Sequence, residues 1–251
     1  MDSSGKERDR TDVNPSDSAP KAVLLVGGLG TRLRQVVHSA PKSLAPIGNR
    51  PFLEFLVRQL ASQGIRRLVF CTGYLADQIE TAFGNGGEFG VTIEYSREPH
   101  ALGTAGAIRF AQSLLNGLPY FLAMNGDSFL RVDFKRLIEA HQLHAGLATL
   151  AVVSVSNASR YGTVHINSEN RVCAFCEKTG RDSPGLVNGG VYVFSPKILD
   201  HIPGGPASLE KEVFPNILTH GVYAMQQEGT FIDIGTPADY EHAQALFEHE
   251  A

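Results

Sequence analysis

The sequence predicts an α/β fold with a mostly parallel central sheet, and three observations carry the prediction. Short apolar runs stop abruptly at glycine or small polar residues, as buried parallel strands do. Between them lie segments whose apolar residues recur every three or four positions, the period of an amphipathic helix. The two patterns alternate from residue 22 to residue 144, the signature of right-handed strand–helix–strand units. A chain of 251 residues, 43% hydrophobic and 19% charged, is long and apolar enough to bury such a sheet.

The first strand is 22–26, Ala-Val-Leu-Leu-Val, ended by Gly27-Gly28. Phe52, Phe55, Leu56 and Leu60 then mark a helix that Gly64 ends. Pro51 suits its first position, because the fixed φ of proline fits a helix and its missing N–H costs no bond there. A second strand at 67–71 is followed by a helix over 75–83, a third strand at 91–95, and a helix over 104–115 with Ile108, Ala111 and Leu115 on one stripe. The fourth strand, 120–124, stops at Asn125-Gly126-Asp127, and 134–144 is helical. His141 and His144 on that helix read as a polar face. Beyond about residue 147 the pattern turns strand-rich, at 148–155, 161–166, 172–177, 190–194, 222–225 and 230–232, with a short helix at 209–218. The last helix opens with Thr236-Pro-Ala-Asp239, a capping hydroxyl, a proline and an acid in the first turn, and turns Tyr240, Ala243 and Phe247 inward.

Residues 1–20 differ in kind. They are charged and serine-rich, with Met1 and Val13 as the only large apolar side chains, so they read as a disordered tail before a single domain over 21–251. Lysine and arginine total 22 against 26 acids, a net charge of −4, so neither nucleic acid nor an anionic membrane is an expected partner. No apolar run approaches the roughly 18 residues of a transmembrane helix, and no signal-peptide segment stands at the start. Three cysteines do not make a disulfide framework, so a cytoplasmic location is the expectation. The oligomeric state stays open, a homo-oligomer included.

Candidate chemistry collects after the strands. Gly27-Gly-Leu-Gly-Thr-Arg-Leu33 follows the first strand, at the carboxyl edge where open α/β sheets bind ligands. Glycines there let backbone N–H groups approach phosphate oxygens, and Arg32 adds a bidentate charge for a polyphosphate. No Gly-Lys-Ser/Thr follows, so the loop is not a Walker loop; the same spacing also suits a plain strand-to-helix turn. Lys42 sits in a segment stiffened by Pro41 and Pro46, which holds an ammonium at little entropic cost. Asp127 follows the fourth strand, and Asp233 stands between apolar residues in Phe231-Ile-Asp-Ile-Gly. Two separated acids suit Mg²⁺ beside a substrate phosphate, but spacing alone does not bring them together.

These motifs, joined by Leu102-Gly-Thr-Ala-Gly-Ala107, Glu177-Lys178, Asn188-Gly-Gly190 and Asp233-Ile-Gly-Thr-Pro237, stand in an order that resembles the sugar-1-phosphate nucleotidyltransferases over residues 22–247. The resemblance implies a Rossmann-like three-layer αβα nucleotidyltransferase fold whose substrates are a nucleoside triphosphate and a sugar 1-phosphate. Gly27, Gly28, Gly30, Thr31 and Arg32 would hold the triphosphate, with Lys42 offsetting charge at its α-phosphate. Glu98, Gly103 and Thr104 would border the base, and Asp127 and Asp233 would bind Mg²⁺. Tyr161, Gly162, Glu177, Asn188 and Gly189 would hold the sugar, and Lys178 would contact its phosphate. Phe52-Leu-Glu-Phe55, Arg160-Tyr-Gly162, Val187-Asn-Gly-Gly-Val-Tyr192, Ser208-Leu-Glu210 and the 233–237 motif are most similar to the D-glycero-D-manno-heptose 1-phosphate guanylyltransferase branch. Mannose-1-phosphate guanylyltransferases, which usually carry a further C-terminal domain, and uridylyl or thymidylyltransferases are the alternatives. A non-catalytic relative would have lost Arg32, Lys42, Asp127 or Asp233, and all four are present.

Overall fold

The computed structural model describes residues 19–28, 30, 33, 40–176, 180 and 182–247. The expected tail up to residue 18, and Thr31, Arg32, Glu177 and Lys178, lie outside the described residues.

The first half is the expected parallel sheet. Strand β1 (Lys21–Leu25) leads to a two-residue hairpin, β2 (Pro46–Ile47) and β3 (Arg50–Pro51), and to helix α1 (Phe52–Ser62). Pro51 caps α1 from an extended conformation instead of occupying its first turn. Strand β4 (Arg67–Thr72), helix α2 (Ala76–Phe83), strand β5 (Thr92–Arg97), helix α3 (Gly103–Phe110) and strand β6 (Phe121–Asn125) follow. β1 pairs in parallel with β4 on one side and β6 on the other, and β4 with β5. Helix α3 stops at Phe110, so the expected stripe to Leu115 continues in a separate 3₁₀ turn, Gln112–Leu115.

The second half is antiparallel at its centre. It comprises strand β7 (Ser128–Leu130), helix α4 (Phe134–His144), and strands β8 (Ala148–Val155), β9 (Thr163–Ile166), β10 (Val172–Cys176) and β11 (Gly185–Phe194). A wide helical turn, Leu209–Val213, runs into α5 (Phe214–Ile217), followed by β12 (Val222–Gln227), β13 (Phe231–Asp233) and α6 (Pro237–Phe247). Strand β11 joins the halves. Its 191–194 portion pairs antiparallel with β6, its opposite edge with β8, and Val187 with Thr163 of β9. It starts five residues before the expected 190, because Gly189-Gly190 forms a bulge inside the strand and does not end it: the β8–β11 register shifts between Asn188 and Val191.

Two apolar layers cover the sheet. Ala22 and Leu24 pack with α1, α2, α4 and α6, while Val23 faces the opposite way toward α3 and the 209–217 segment. Helix α6 is anchored by Phe247, whose ring lies 4.5 Å from Phe55 and 5.0 Å from Phe129. Emptying that position should cost about 3–5 kcal/mol. His141 corrects the polar-face expectation. It is buried and bonded through Nδ1 to Thr149 of β8, whereas His144 stacks on Tyr223.

Candidate active site

The strand β7, absent from the sequence reading, makes the centre of the site. β13 pairs antiparallel with it, setting Asp233 opposite Ser128, next to Asp127. The Ile234 N–H donates to the Asp127 carbonyl at 3.0 Å, so the two acids sit on facing strands of one ribbon. Lys42 completes the cluster. Its ammonium donates to Asp127 Oδ2 at 2.8 Å and reaches Asp233 Oδ1 at 3.4 Å, with only 13% of the side chain exposed. The rigid-loop expectation has a physical basis here. Lys42–Leu44 is a 3₁₀ turn, Ala45 accepts from the Phe52 N–H, and the Pro46 carbonyl accepts from Tyr240 and Gln244 of α6.

Electrostatics follow from this crowding. Burial pushes the Asp233 carboxyl above its ordinary range and the Asp127 charge adds to the push, against the pull of Lys42. Burial draws the Lys42 ammonium down, but the two carboxylates outweigh it and hold its pKa above the usual value. A site that raises a carboxyl pKa in this way gains from added positive charge. Two hard oxygen donors suit Mg²⁺, which commonly takes one or two carboxylates and completes its shell with water and phosphate.

Three clefts adjoin one another here, and two of them reach the cluster. The first, of about 310 Å³, is lined by Gly28, Gly30, Lys42, Asp127 and Asp233. The second, of about 350 Å³, is lined by Gly27, Gly28, Glu98, Gly103, Thr104 and Asn125, and also reaches Asp127. Glu98 is not paired with its neighbour Arg97, which bonds Asp77 at 2.8 Å; it accepts the Leu102 N–H at 2.9 Å, and burial raises its pKa. Gly103 has a reason beyond close approach to a ligand. At φ +70° a Cβ there would lie 2.5 Å from the Ala207 carbonyl, which itself accepts the Ala105 N–H at the start of α3.

The third cleft, of about 470 Å³, is lined by Asn125, Tyr161, Gly162, Thr163, Asn188, Glu210 and Lys211 among others. It opens where β11 passes from β9 to β6 across its bulge. Gly189 lies behind the wall, where a Cβ would strike Leu130 and the Ala151 carbonyl, so it shapes the bulge and does not line the cleft. The loop carrying Tyr161 is tied to α6. Arg160 donates to both carboxylate oxygens of Asp239, at 3.0 and 2.5 Å, and the Tyr161 ring packs on Phe231.

Of the expected site residues, Gly27, Gly28, Gly30, Lys42, Glu98, Gly103, Thr104, Asp127, Tyr161, Gly162, Asn188 and Asp233 surround this connected groove. Asn125, Glu210 and Lys211 are among the lining residues that had no role in the sequence reading. Asn125 lines two clefts, and its buried Oδ1 has no partner among the described residues. Its signal was the Asn125-Gly-Asp127 motif, in which only Asp127 was given a role.

The nucleotidyl transferase family profile matches residues 21–250. A D-glycero-alpha-D-manno-heptose 1-phosphate guanylyltransferase of Aneurinibacillus thermoaerophilus is 40% identical over 233 residues, covering 91% of this chain and 99% of that protein. A mannose-1-phosphate guanylyltransferase of Mycobacterium tuberculosis is 38% identical over 229 residues, covering 89% of this chain. The chain spans 63% of that relative's length, and a similar share of other mannose-1-phosphate guanylyltransferases it matches. The crystal structure of HddC from Yersinia pseudotuberculosis complexed with GMP-PN superposes with a TM-score of 0.82 at 33% identity, covering 91% of this chain and 99% of that one. No described helix is long and apolar enough to cross a membrane.

Proposed function

The chain belongs to the nucleotidyl transferase family, and from that premise we propose that it transfers GMP from GTP to a sugar 1-phosphate, D-glycero-D-manno-heptose 1-phosphate first among candidates, releasing pyrophosphate. One observation carries the reading: two clefts of substrate size share Asn125, and Asp127 of the two-acid cluster lines the one that also holds Glu98. A nucleotide in the glycine and Glu98 clefts would bring its α-phosphorus to the side from which the third cleft delivers a nucleophile. The heptose 1-phosphate guanylyltransferase relative, matched over nearly its full length, and the HddC complex with GMP-PN support the choice of base and sugar.

In this reading the sugar phosphate oxygen attacks the α-phosphorus in line and the pyrophosphate bond breaks on the opposite side, without a covalent enzyme intermediate. Catalysis is then positioning and charge neutralisation. Lys42 would supply a positive charge at the point of attack, and Gly27, Gly28 and Gly30 would hold the triphosphate together with Thr31 and Arg32. Asp127 and Asp233 would hold Mg²⁺, which supplies neutralisation of developing phosphate charge. Tyr161, Gly162 and Asn188, with Glu177 following β10, would bind the sugar, and Lys178 its phosphate. Glu98 would accept from the N1–H and N2–H₂ of guanine, donors that adenine lacks in that arrangement.

Competition among GTP, ATP, UTP and dTTP at equal concentration, with heptose and mannose 1-phosphates as acceptors and pyrophosphate release followed, tests the reading. GTP should be preferred by about thirty- to a thousandfold, the cost of leaving the Glu98 oxygen that Leu102 does not engage desolvated and unpaired. EDTA should abolish turnover and Mg²⁺ restore it. Equal use of UTP or dTTP would sink the guanylyl assignment and leave the nucleotidyl transfer intact.

A further inference from the structure

Ser208-Leu-Glu210 is a motif shared with the heptose branch that the proposed function leaves without a role, and the structure sets Glu210 at the centre of a hydrogen-bond network. Its Oε2 accepts from the Thr104 hydroxyl at 3.1 Å and the Ser208 hydroxyl at 3.0 Å. Both hydroxyls have a lone pair engaged, Thr104 by the Leu209 N–H at 2.8 Å and Ser208 by the Lys211 N–H at 3.2 Å, so their own protons point to the carboxylate. The other oxygen, Oε1, accepts from the Tyr192 hydroxyl at 3.2 Å. Tyr192 is fully buried and in turn accepts from Asn188 Nδ2 at 2.8 Å, while Asn188 Oδ1 accepts the Gly190 N–H at 3.0 Å.

We infer that Glu210 is a positioning residue for the sugar 1-phosphate, acting through Tyr192 to fix which way the Asn188 amide faces in the third cleft. The inference rests on the reading of that cleft as the sugar site. The directionality is forced. A carboxylate only accepts, so the Tyr192 proton must point to it. The Tyr192 oxygen then only accepts from the other side, so Asn188 must present Nδ2 to it and keep Oδ1 for Gly190. Burial raises the Tyr192 pKa well above its usual value, so the proton that sets this order stays in place at any working pH. An amide at position 210 breaks the rule. If its N–H₂ faces Tyr192, the tyrosine proton loses its acceptor and Asn188 gains by flipping, which turns its carbonyl inward and sets two N–H groups, its own and that of Gly190, against each other. If the N–H₂ faces Oε2's partners, the Thr104 and Ser208 protons lose theirs. Thr104 also lines the cleft beside Glu98, so one carboxylate ties the walls of both substrate clefts together.

Steady-state kinetics on Glu210→Gln, Tyr192→Phe and the double variant test this. Glu210→Gln should raise KM for the sugar 1-phosphate roughly five- to twentyfold, the scale of one misdirected hydrogen bond, and KM for GTP less than about twofold. In the Tyr192→Phe background the same substitution should add nothing further, because the path to Asn188 is already cut. Should Tyr192→Phe fold poorly, Asn188→Ala is the substitute background, with the same expected absence of a further effect. Multiplying effects in either background would mean that Glu210 touches the sugar itself, and would overturn the inference. An inactive wild type across the acceptor panel would instead remove its premise, so the two failures are told apart by the wild-type assay alone.

Discussion

The two halves of the sheet build their clefts by different means. In the parallel half several groups at the groove lie just past the carboxyl end of a strand: Gly27 and Gly28 after β1, Glu98 after β5, Asp127 after β6. Parallel topology provides such an edge without special residues, because each strand hands over to a loop there. In the antiparallel half Asn188 and Tyr192 lie inside β11, four residues apart, and reach their places only because the strand bulges at Gly189-Gly190 and changes partner from β9 to β6. One half therefore presents strand ends and backbone, and the other presents side chains held by a network. The ribbon of β7 and β13 brings Asp127 and Asp233 together between them.

The largest effect should come from that ribbon. If it is the chemical centre common to both halves, Asp127→Asn and Asp233→Asn should each lower kcat by at least about a hundredfold, roughly 3 kcal/mol of transition-state stabilisation. Near-normal kcat in folded Asp233→Asn would leave only Asp127 at the centre. Next in size is a pair of glycine substitutions. Gly103 (φ +70°) stands against the Ala207 carbonyl in the parallel half, and Gly190 (φ +73°) against the Ser128 hydroxyl in the other, where a Cβ would lie 2.7 Å away. Each alanine should cost about 2 kcal/mol through left-handed strain and contact, a fall in Tm of about 4–8 °C. In the surviving protein Gly103→Ala should weaken GTP binding and Gly190→Ala the sugar 1-phosphate, each with little effect on the other substrate. Loss of both affinities in either variant would show that the halves are not separable.

The same contrast explains what was legible in the sequence. Strands β1, β4, β5 and β6 and the groups after them were readable because apolar runs ending in glycine or Asn-Gly-Asp announce a strand edge locally. The meeting of Asp127 with Asp233 was not, since it depends on three-residue strands too short to show a period, paired across a hundred positions. The network of Asn188, Tyr192 and Glu210 was hidden for a related reason. Tyr192 stood in the Val187–Tyr192 motif with no role of its own, and the bulge looked like a strand start. His141 misled because spacing on a helix does not say which stripe faces the sheet. Thr149, its partner, is the cue, but only once β8 is laid beside α4.

A smaller effect should follow from loosening the antiparallel half at its rim. Arg160→Ala removes the two-pronged grip on Asp239 that holds the Tyr161 loop to α6. More than half of the arginine side chain is exposed, so the loss is limited, about 1 kcal/mol or less. KM for the sugar 1-phosphate should rise about three- to fivefold with kcat and KM for GTP held. A matching change in KM for GTP would place the Tyr161 loop over the nucleotide and erase the division of labour.

The smallest effect is one of pH, and it too belongs to the antiparallel half, where polar side chains are buried in the packing. Burial lowers the His141 pKa from 6.5 to about 4, so the imidazole is neutral in the fold and bonded to Thr149. The unfolded chain takes up a proton as pH falls through 6.5 while the folded chain does not. The stability this neutral histidine allows is therefore complete above the unfolded pKa and is lost progressively between 6.5 and about 4. From pH 7.5 to pH 6 the loss should be about 1 kcal/mol or less, a fall in Tm of about 2 °C for a chain of this size. His141→Asn keeps a polar atom near the Nδ1 position and removes the titration. It should unfold at a lower temperature at every pH yet lose less Tm than the wild type over that interval. Asp233 and other carboxyls titrate equally in both proteins, so the difference of the two slopes isolates His141. Identical slopes would mean that His141 carries its proton in the fold as readily as in the unfolded chain, and that the α4–β8 interface is wetter than its burial implies.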